Sequence, residues 1–265
     1  MAVISCDFFS DALEMGTTMT VVLPQVTESQ IGVSADDDGG SVGERPGFPV
    51  LYLLHGLSDD HSAWTRFTSI ERYAAARGLA VVMPAVHRSF YTDEARGHRY
   101  WTFVSEELPR VVDSFFNVST RREDTFVAGL SMGGYGALKL ALSHPERFAA
   151  AASLSGVVDI NWLSGRPERA ALVDRVFGGD PGAEHDVRPL LRAVPPAELP
   201  RLHLSCGTDE PLLVPNAAFV ADAEEAGADV TSLFVPGEHE WGLWDTVIQD
   251  VIAWLPLDGD TLVGG

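Results

Sequence analysis

Short runs of apolar residues recur along the chain without polar alternation, and stretches of helical character separate them. Unbroken apolar strands are typical of a parallel sheet that is covered on both faces. Strands that alternate with helices indicate a mostly parallel, doubly wound α/β domain. The predicted strands are residues 19–23, 50–54, 80–83, 125–128, 149–154, 202–206 and 230–235.

The helices are predicted from composition and periodicity. The clearest is the last one, where apolar residues from Trp244 to Leu255 recur at helical spacing. Residues 104–116 contain Pro109, which must lie in the first turn of a helix or kink it. The other predicted helices are residues 69–77, 135–143 and 215–226.

Two segments depart from this alternation. Residues 157–200 contain several prolines and a pair of adjacent glycines, so we expect short helices and loops that form a small cap over one end of the sheet. Residues 28–47 are polar, with three aspartates at 36–38, and predict an exposed loop. The chain has 265 residues, of which 46% are hydrophobic, and this suits a single domain with a sizeable core.

Charge and composition narrow the range of partners. The formal net charge of −20 disfavours nucleic acid and anionic membrane surfaces, because like charges repel. The N-terminus lacks a basic region followed by a long apolar run, so no signal peptide is predicted. No stretch has the length and apolar character of a membrane span. We therefore expect a cytoplasmic protein that binds neither nucleic acid nor membranes.

A candidate nucleophile lies in residues 129–134, which read Gly-Leu-Ser-Met-Gly-Gly. A G-x-S-x-G match alone is weak, but this one stands between an apolar strand and a helix rich in small residues. A strand, a tight turn and a helix form a nucleophile elbow, in which glycines avoid the clash of a Cβ atom. The context makes Ser131 the candidate nucleophile.

A serine nucleophile needs a histidine base and a carboxylate that orients the base. In an elbow-type site the acid and then the histidine follow the serine in sequence, each just after a later strand. Asp209 follows the strand at 202–206 and is the predicted acid; Glu210 is the adjacent alternative and Asp159 a more remote one. His239 follows the last strand and is the predicted base.

Two backbone N–H groups are expected to stabilise the negative oxygen of a tetrahedral intermediate. One belongs to Met132, the residue after the nucleophile, and the other to Leu57, after the strand at 50–54. His55 is predicted to brace this loop. Such chemistry needs no metal and no cofactor. The aromatic residues predicted to line the substrate pocket are Trp64, Tyr91, Trp162 and Trp241.

Six segments carry a likeness to a known enzyme family: residues 52–57, 85–91, 106–109, 122–124, 128–136 and 153–156. Through them the chain resembles the esterase D group of α/β-hydrolases, particularly the tributyrin esterase or acetylesterase type. The resemblance implies an α/β-hydrolase fold and a serine carboxylesterase that acts on short-chain acyl esters. Its nucleophile, acid and base match Ser131, Asp209 and His239, and its oxyanion donors match Leu57 and Met132.

The resemblance leaves alternatives for the reaction. Relatives include S-formylglutathione hydrolases and mycolyltransferase-type enzymes, so a formylglutathione hydrolase or a related acyltransferase is one alternative. A catalytically inactive hydrolase fold that serves as a binding protein is another, from a different functional class. The expected partner is a small-molecule ester, and the family implies that a homo-oligomer is an option.

Overall fold

The computed structural model describes residues 1–25 and 47–257, and within these ranges eight strands form one sheet. Their spatial order is first, second, fourth, third and then fifth to eighth. The third to eighth strands are parallel, and the first two form an antiparallel extension. The strands are Ala2–Ser10 (β1), Met15–Leu23 (β2), Val50–Leu54 (β3), Ala80–Pro84 (β4), Thr125–Leu130 (β5), Ala150–Leu154 (β6), Arg201–Gly207 (β7) and Val230–Val235 (β8).

Helices connect the parallel strands and cover both faces of the sheet. A π-helical stretch at Phe103–Glu107 joins the third helix to the fourth, and short 3₁₀ turns lie at Arg122–Asp124, Pro167–Arg169, Ala183–His185 and Pro196–Glu198. The α-helices are Ala63–Phe67 (α1), Ile70–Ala75 (α2), Tyr100–Thr102 (α3), Leu108–Phe115 (α4), Met132–Ser143 (α5), Asn161–Ser164 (α6), Ala170–Phe177 (α7), Val187–Ala193 (α8), Leu213–Glu225 (α9) and Trp241–Trp254 (α10).

Neighbouring side chains of the central strands enter two different cores. In β3, Leu51 and Leu53 pack in one core with α1, α2 and α10, whereas Tyr52 and Leu54 pack in the other with α4, α5 and α9. Every residue of β3 is buried, which explains why the strand reads as an unbroken apolar run. Each buried leucine contributes about 1.5–3 kcal/mol by leaving water. The predicted doubly wound α/β fold is confirmed.

Local differences from the predicted elements have simple causes. Strand β1 was not predicted, because it is an edge strand whose side chains are exposed or half-buried over most of its length. Helix α5 begins at Met132, three residues before the predicted start. The prediction began later because glycines, which lower helix propensity, occupy the first turn. Pro109 lies in the first turn of α4, directly after the π-helical stretch, which is one of the two placements predicted for it.

The segment predicted as a cap contains α6, α7, α8 and three of the short turns. Leu163, Val176 and Val187 anchor it in the core. The predicted acidic loop at residues 28–47 lies outside the described residues except for Gly47. Across residues 1–25 and 47–257, each helix is too short or too polar to cross a bilayer.

Candidate active site

Ser131 lies in the sharp turn between β5 and α5. Its backbone has φ 53° and ψ −114°, a conformation that residues other than glycine rarely adopt. Two backbone hydrogen bonds tie the turn to the end of β6. The Ser131 N–H donates to the carbonyl of Leu154 at 2.8 Å, and the Ser131 carbonyl accepts from the Val157 N–H at 3.2 Å. Such strain persists only where the surroundings enforce it. The turn presents the serine at the carboxyl ends of the parallel strands, as the elbow prediction requires.

Close packing around Gly133 explains the glycines of the turn. A Cβ atom at Gly133 would lie only 2.8 Å from the carbonyl oxygen of His55 and would also press against the carbonyl of Leu54. The helix α5 therefore approaches the end of β3 more closely than any side chain permits. This approach brings the loop after β3 next to Ser131.

His239 contacts Ser131 across the top of the sheet. Its Nε2 lies 3.0 Å from the Ser131 Oγ. The histidine follows β8 and lies two residues before the start of α10, the placement predicted from the sequence. Trp244 packs edge-on against the imidazole with ring centroids 4.9 Å apart, which limits the orientations of the ring.

The carboxylate that contacts His239 belongs to Glu210, so the prediction of Asp209 is wrong. Glu210 Oε2 lies 2.5 Å from His239 Nδ1. Asp209 is exposed, and its carboxylate instead accepts a hydrogen bond from the Gly237 N–H at 3.2 Å. The turn after β7 points Asp209 outward and Glu210 inward. Asp159, the remoter alternative, accepts a hydrogen bond from the Asn161 N–H.

Glu210 is held by donors as well as by His239. Its Oε1 accepts from the Ser155 hydroxyl at 2.5 Å and from the Gly207 N–H at 2.8 Å. Burial acts to raise the pKa of Glu210, but the hydrogen bonds from His239, Ser155 and Gly207 outweigh burial and lower it. Because an ionised carboxylate only accepts, His239 must carry its proton on Nδ1 and offer the Nε2 lone pair to Ser131.

Leu57 and Met132, the predicted oxyanion donors, line the same cavity as Ser131. Met132 is the first residue of α5, so its N–H is one of those that have no acceptor within the helix. Leu57 lies in the loop after β3, which the close approach at Gly133 carries to the serine. This arrangement is compatible with an oxyanion hole.

His55 braces that loop. Its Nδ1 lies 2.7 Å from the carbonyl of Gly56, and its Nε2 accepts a hydrogen bond from the Val86 N–H at 3.0 Å. Burial lowers the pKa of His55 to about 4, so the ring is neutral at pH 7 with both nitrogens engaged. The ring therefore ties the loop to the end of β4.

The active-site cavity has a volume of about 730 Å³ and is lined largely by apolar side chains. Trp162 and Trp241 line it, as predicted. Trp64 and Tyr91 do not, and their assignment to the pocket is wrong: both are fully buried. The Trp64 indole N–H donates to the carbonyl of Leu54, and the Tyr91 hydroxyl donates to the carbonyl of His55, so both support the core beneath the site.

Several residues of the site were given no role from the sequence, although Arg88 and Ser155 lie in segments that resemble the esterase D group. Trp244 lies on the predicted last helix, where periodicity assigns it to the core, yet it also lines the cavity. Ser155 follows β6 and resembles any turn serine. Arg88 and Arg166 line the cavity from two separate segments. Within the described ranges, no group of three His, Cys, Asp or Glu side chains is placed to hold a metal ion.

A family model named Esterase matches residues 41–255, which is most of the chain. The chain belongs to this esterase family. An acetyl esterase of Caldicellulosiruptor saccharolyticus is 29% identical over 96% of this chain and 98% of its own length. A diacylglycerol acyltransferase/mycolyltransferase of Mycobacterium leprae is 39% identical, but over only 43% of this chain and 38% of its own.

Two solved Staphylococcus aureus structures are similar over the whole fold. One is the fluorophosphonate-binding serine hydrolase FphF, with 33% identity, a TM-score of 0.85 and coverage of 96% of this chain and 98% of its own. The other is the S-formylglutathione hydrolase FrmB, with 33% identity, a TM-score of 0.82 and the same coverage. The esterase is thus a serine hydrolase of the α/β-hydrolase superfamily and hydrolyses carboxylic esters.

Exchanging each carboxylate for its amide tests which acid serves the esterase. Glu210→Gln should lower kcat for p-nitrophenyl acetate by about 10⁴-fold, because the amide cannot hold the imidazole in the required tautomer. Asp209→Asn is the matched control, one residue away, and should retain kcat within about threefold. A larger loss of kcat in Asp209→Asn than in Glu210→Gln would instead identify Asp209 as the acid.

Ser155 is expected to act by positioning Glu210. Its backbone has φ 47°, and its hydroxyl accepts from the Trp244 indole N–H at 3.1 Å while donating to the carboxylate. Ser155→Ala should lower kcat about 10-fold to 100-fold with little change in KM, since a hydrogen bond to a charged group is worth about 1.5–3 kcal/mol.

The same variant should change the response to acid. The lowered pKa of Glu210 stabilises the fold at neutral pH, and this stability is lost as the pH falls through the folded-state pKa. Without the Ser155 donor that pKa rises, so acid unfolding followed by circular dichroism should begin at higher pH. Ser232→Ala, which changes an exposed serine of β8, is the control and should leave the acid midpoint nearly unchanged. Equal midpoints for Ser155→Ala and wild type would argue against this role.

Proposed function

We propose that the protein hydrolyses esters with short acyl groups through Ser131, His239 and Glu210 and an acyl-enzyme intermediate. The observation that supports this most directly is the row of contacts Ser131 Oγ to His239 Nε2 at 3.0 Å and His239 Nδ1 to Glu210 at 2.5 Å. A serine hydroxyl becomes an effective nucleophile only with a base that is itself oriented by an acid.

In the first half of the proposed reaction, the Ser131 Oγ attacks the ester carbonyl carbon and its proton moves to His239 Nε2. The carbonyl oxygen becomes negative and accepts hydrogen bonds from the N–H groups of Leu57 and Met132, each worth about 3 kcal/mol. The carbon–oxygen bond to the alcohol then breaks, and His239 returns the proton to the departing alcohol. Glu210 stays ionised and stabilises the imidazolium.

In the second half, water takes the place of the alcohol. His239 removes a proton from the water as it attacks the acyl carbon, and a second oxyanion forms between the same two N–H groups. The bond to Ser131 then breaks, and the serine recovers its proton from His239. The products are a carboxylic acid and the free enzyme.

The preference for short acyl groups is supported by the acetyl esterase relative, which matches nearly the whole chain. It is also supported by the large buried side chains around the serine. Phe90, Met132 and Trp244 line the cavity and are each at most 5% exposed, so they limit the room for a long acyl chain.

Removing the serine hydroxyl is the direct test. Ser131→Ala should lower kcat for p-nitrophenyl acetate by at least about 10⁴-fold, because the covalent step is lost. Ser232→Ala, which changes the exposed residue of β8, is the matched control and should behave as wild type. A fluorophosphonate probe should label the wild type and the control but not Ser131→Ala. An unlabelled wild type would favour the inactive binding protein instead.

A series of p-nitrophenyl esters tests the acyl preference separately. With the wild type, kcat/KM should fall from acetyl through hexanoyl to decanoyl, since each added methylene must find room in the same pocket. Equal values across the series would remove the short-chain part of the proposal and leave the serine chemistry intact.

S-formylglutathione hydrolysis is the second candidate, favoured by the 33% identity with FrmB over 96% of this chain. The two functions share the acyl-enzyme chemistry and differ in the leaving group, an alcohol in one and a thiol in the other. If the protein is a short-chain esterase, kcat/KM for short oxygen esters should equal or exceed that for S-formylglutathione. A value for S-formylglutathione about 100-fold above that of matched oxygen esters would establish the second.

A further inference from the structure

Three arginines line the active-site cavity of this acidic protein. The chain has 38 aspartates and glutamates against 18 lysines and arginines, so a local excess of positive charge is unexpected. Arg88, Arg166 and Arg169 all line the cavity that holds Ser131. Arg88 follows β4, and the other two lie between β6 and β7, so the fold brings together arginines from distant parts of the chain.

Among the residues that the structure describes, carboxylates do not fully neutralise the three arginines. The structure contains no side-chain hydrogen bond or ion pair of Arg88 or Arg169 to any residue of 1–25 and 47–257. Arg166 has one carboxylate partner among the described residues, the exposed Glu168 at 3.6 Å. By contrast, Arg188 pairs with Asp222 at 2.7 Å on another surface.

Arg166 is also held in a defined orientation. Its guanidinium carbon lies 3.6 Å from the centre of the Trp162 ring, and Trp162 itself lines the cavity. Stacking on an aromatic face leaves the N–H groups at the edge of the guanidinium free to donate in its plane. A stacked arginine therefore loses less side-chain freedom when it binds an anion than an arginine that moves freely.

Three acidic residues face the same cavity. Glu210 is engaged by His239 and by the Ser155 hydroxyl. Asp59 is half-buried in the loop after β3. Glu240 is exposed and lies next to His239 in sequence. The three guanidinium groups thus outnumber the carboxylates that remain available to them.

We propose that the alcohol part of the preferred ester carries an oxyanion, a carboxylate or a phosphate, that binds to Arg88, Arg166 and Arg169. The inference rests on the proposed function, in which the acyl group is short and stays next to Ser131. Arg88 is exposed and Arg166 half-exposed, so they stand at the mouth of the cavity, where the alcohol part would extend. The planar fork of arginine matches both anions.

Three esters that share an acetyl group and a phenolic leaving group form the test: 4-acetoxybenzoate, 4-acetoxyphenyl phosphate and the neutral methyl 4-acetoxybenzoate. The measured quantity is kcat/KM for each anionic ester divided by that for the neutral ester. Each of Arg88→Gln, Arg166→Gln and Arg169→Gln should lower this ratio about threefold to tenfold, because a partly exposed charge pair is worth about 1 kcal/mol. The anion whose ratio falls more identifies the preferred group.

Arg192→Gln removes the same charge from an exposed position of α8 that does not line the cavity, and it should leave the ratio unchanged. Arg166→Lys keeps the charge and should retain part of the preference if Arg166→Gln folds poorly. Added salt should lower the ratio of the wild type. Equal losses on all three esters would overturn the anion site while leaving the esterase proposal standing. If the wild type did not hydrolyse the neutral ester at all, that result would instead count against the proposed function.

Discussion

The contact between the first turn of α5 and the end of β3 is the constraint on which the site depends. Only glycine at position 133 lets the helix approach the carbonyls of residues 54 and 55 so closely. Ser131 lies two residues before this contact and has a positive φ, and the loop with Leu57 lines the same cavity. The serine and one of the two backbone donors expected around the oxyanion therefore both lie next to a single steric contact.

A chain of hydrogen bonds extends from this turn into the protein interior. Ser131 contacts His239, which contacts Glu210, and the glutamate accepts from Ser155, which accepts in turn from Trp244. Ser131 and His239, at the outer end of this row, are partly exposed, whereas the members at the inner end are buried. Because a buried carboxylate is costly unless it is fully hydrogen-bonded, the interior members of the row fix the geometry that the exposed histidine needs.

The cavity wall combines two kinds of side chain with different origins. Trp162, Trp241 and Trp244 provide apolar surface, and Arg166 stacks on the first of them. The helical segment between β6 and β7 contributes both an aromatic and a cationic residue to the mouth. Variation in this segment can therefore change which esters enter without disturbing the strands and turns that hold the serine, the histidine and the glutamate.

The sequence by itself determined the doubly wound α/β fold, the elbow at Ser131 and the position of His239, because these follow from local patterns: apolar runs, glycine spacing and the order of strands. Tertiary structure decided between Asp209 and Glu210, since adjacent carboxylates in a turn differ only in the direction that the folded backbone gives each side chain. It also decided that Trp64 and Tyr91 are core residues, and that distant arginines share one cavity. Direction and long-range proximity arise from packing, which no local pattern records.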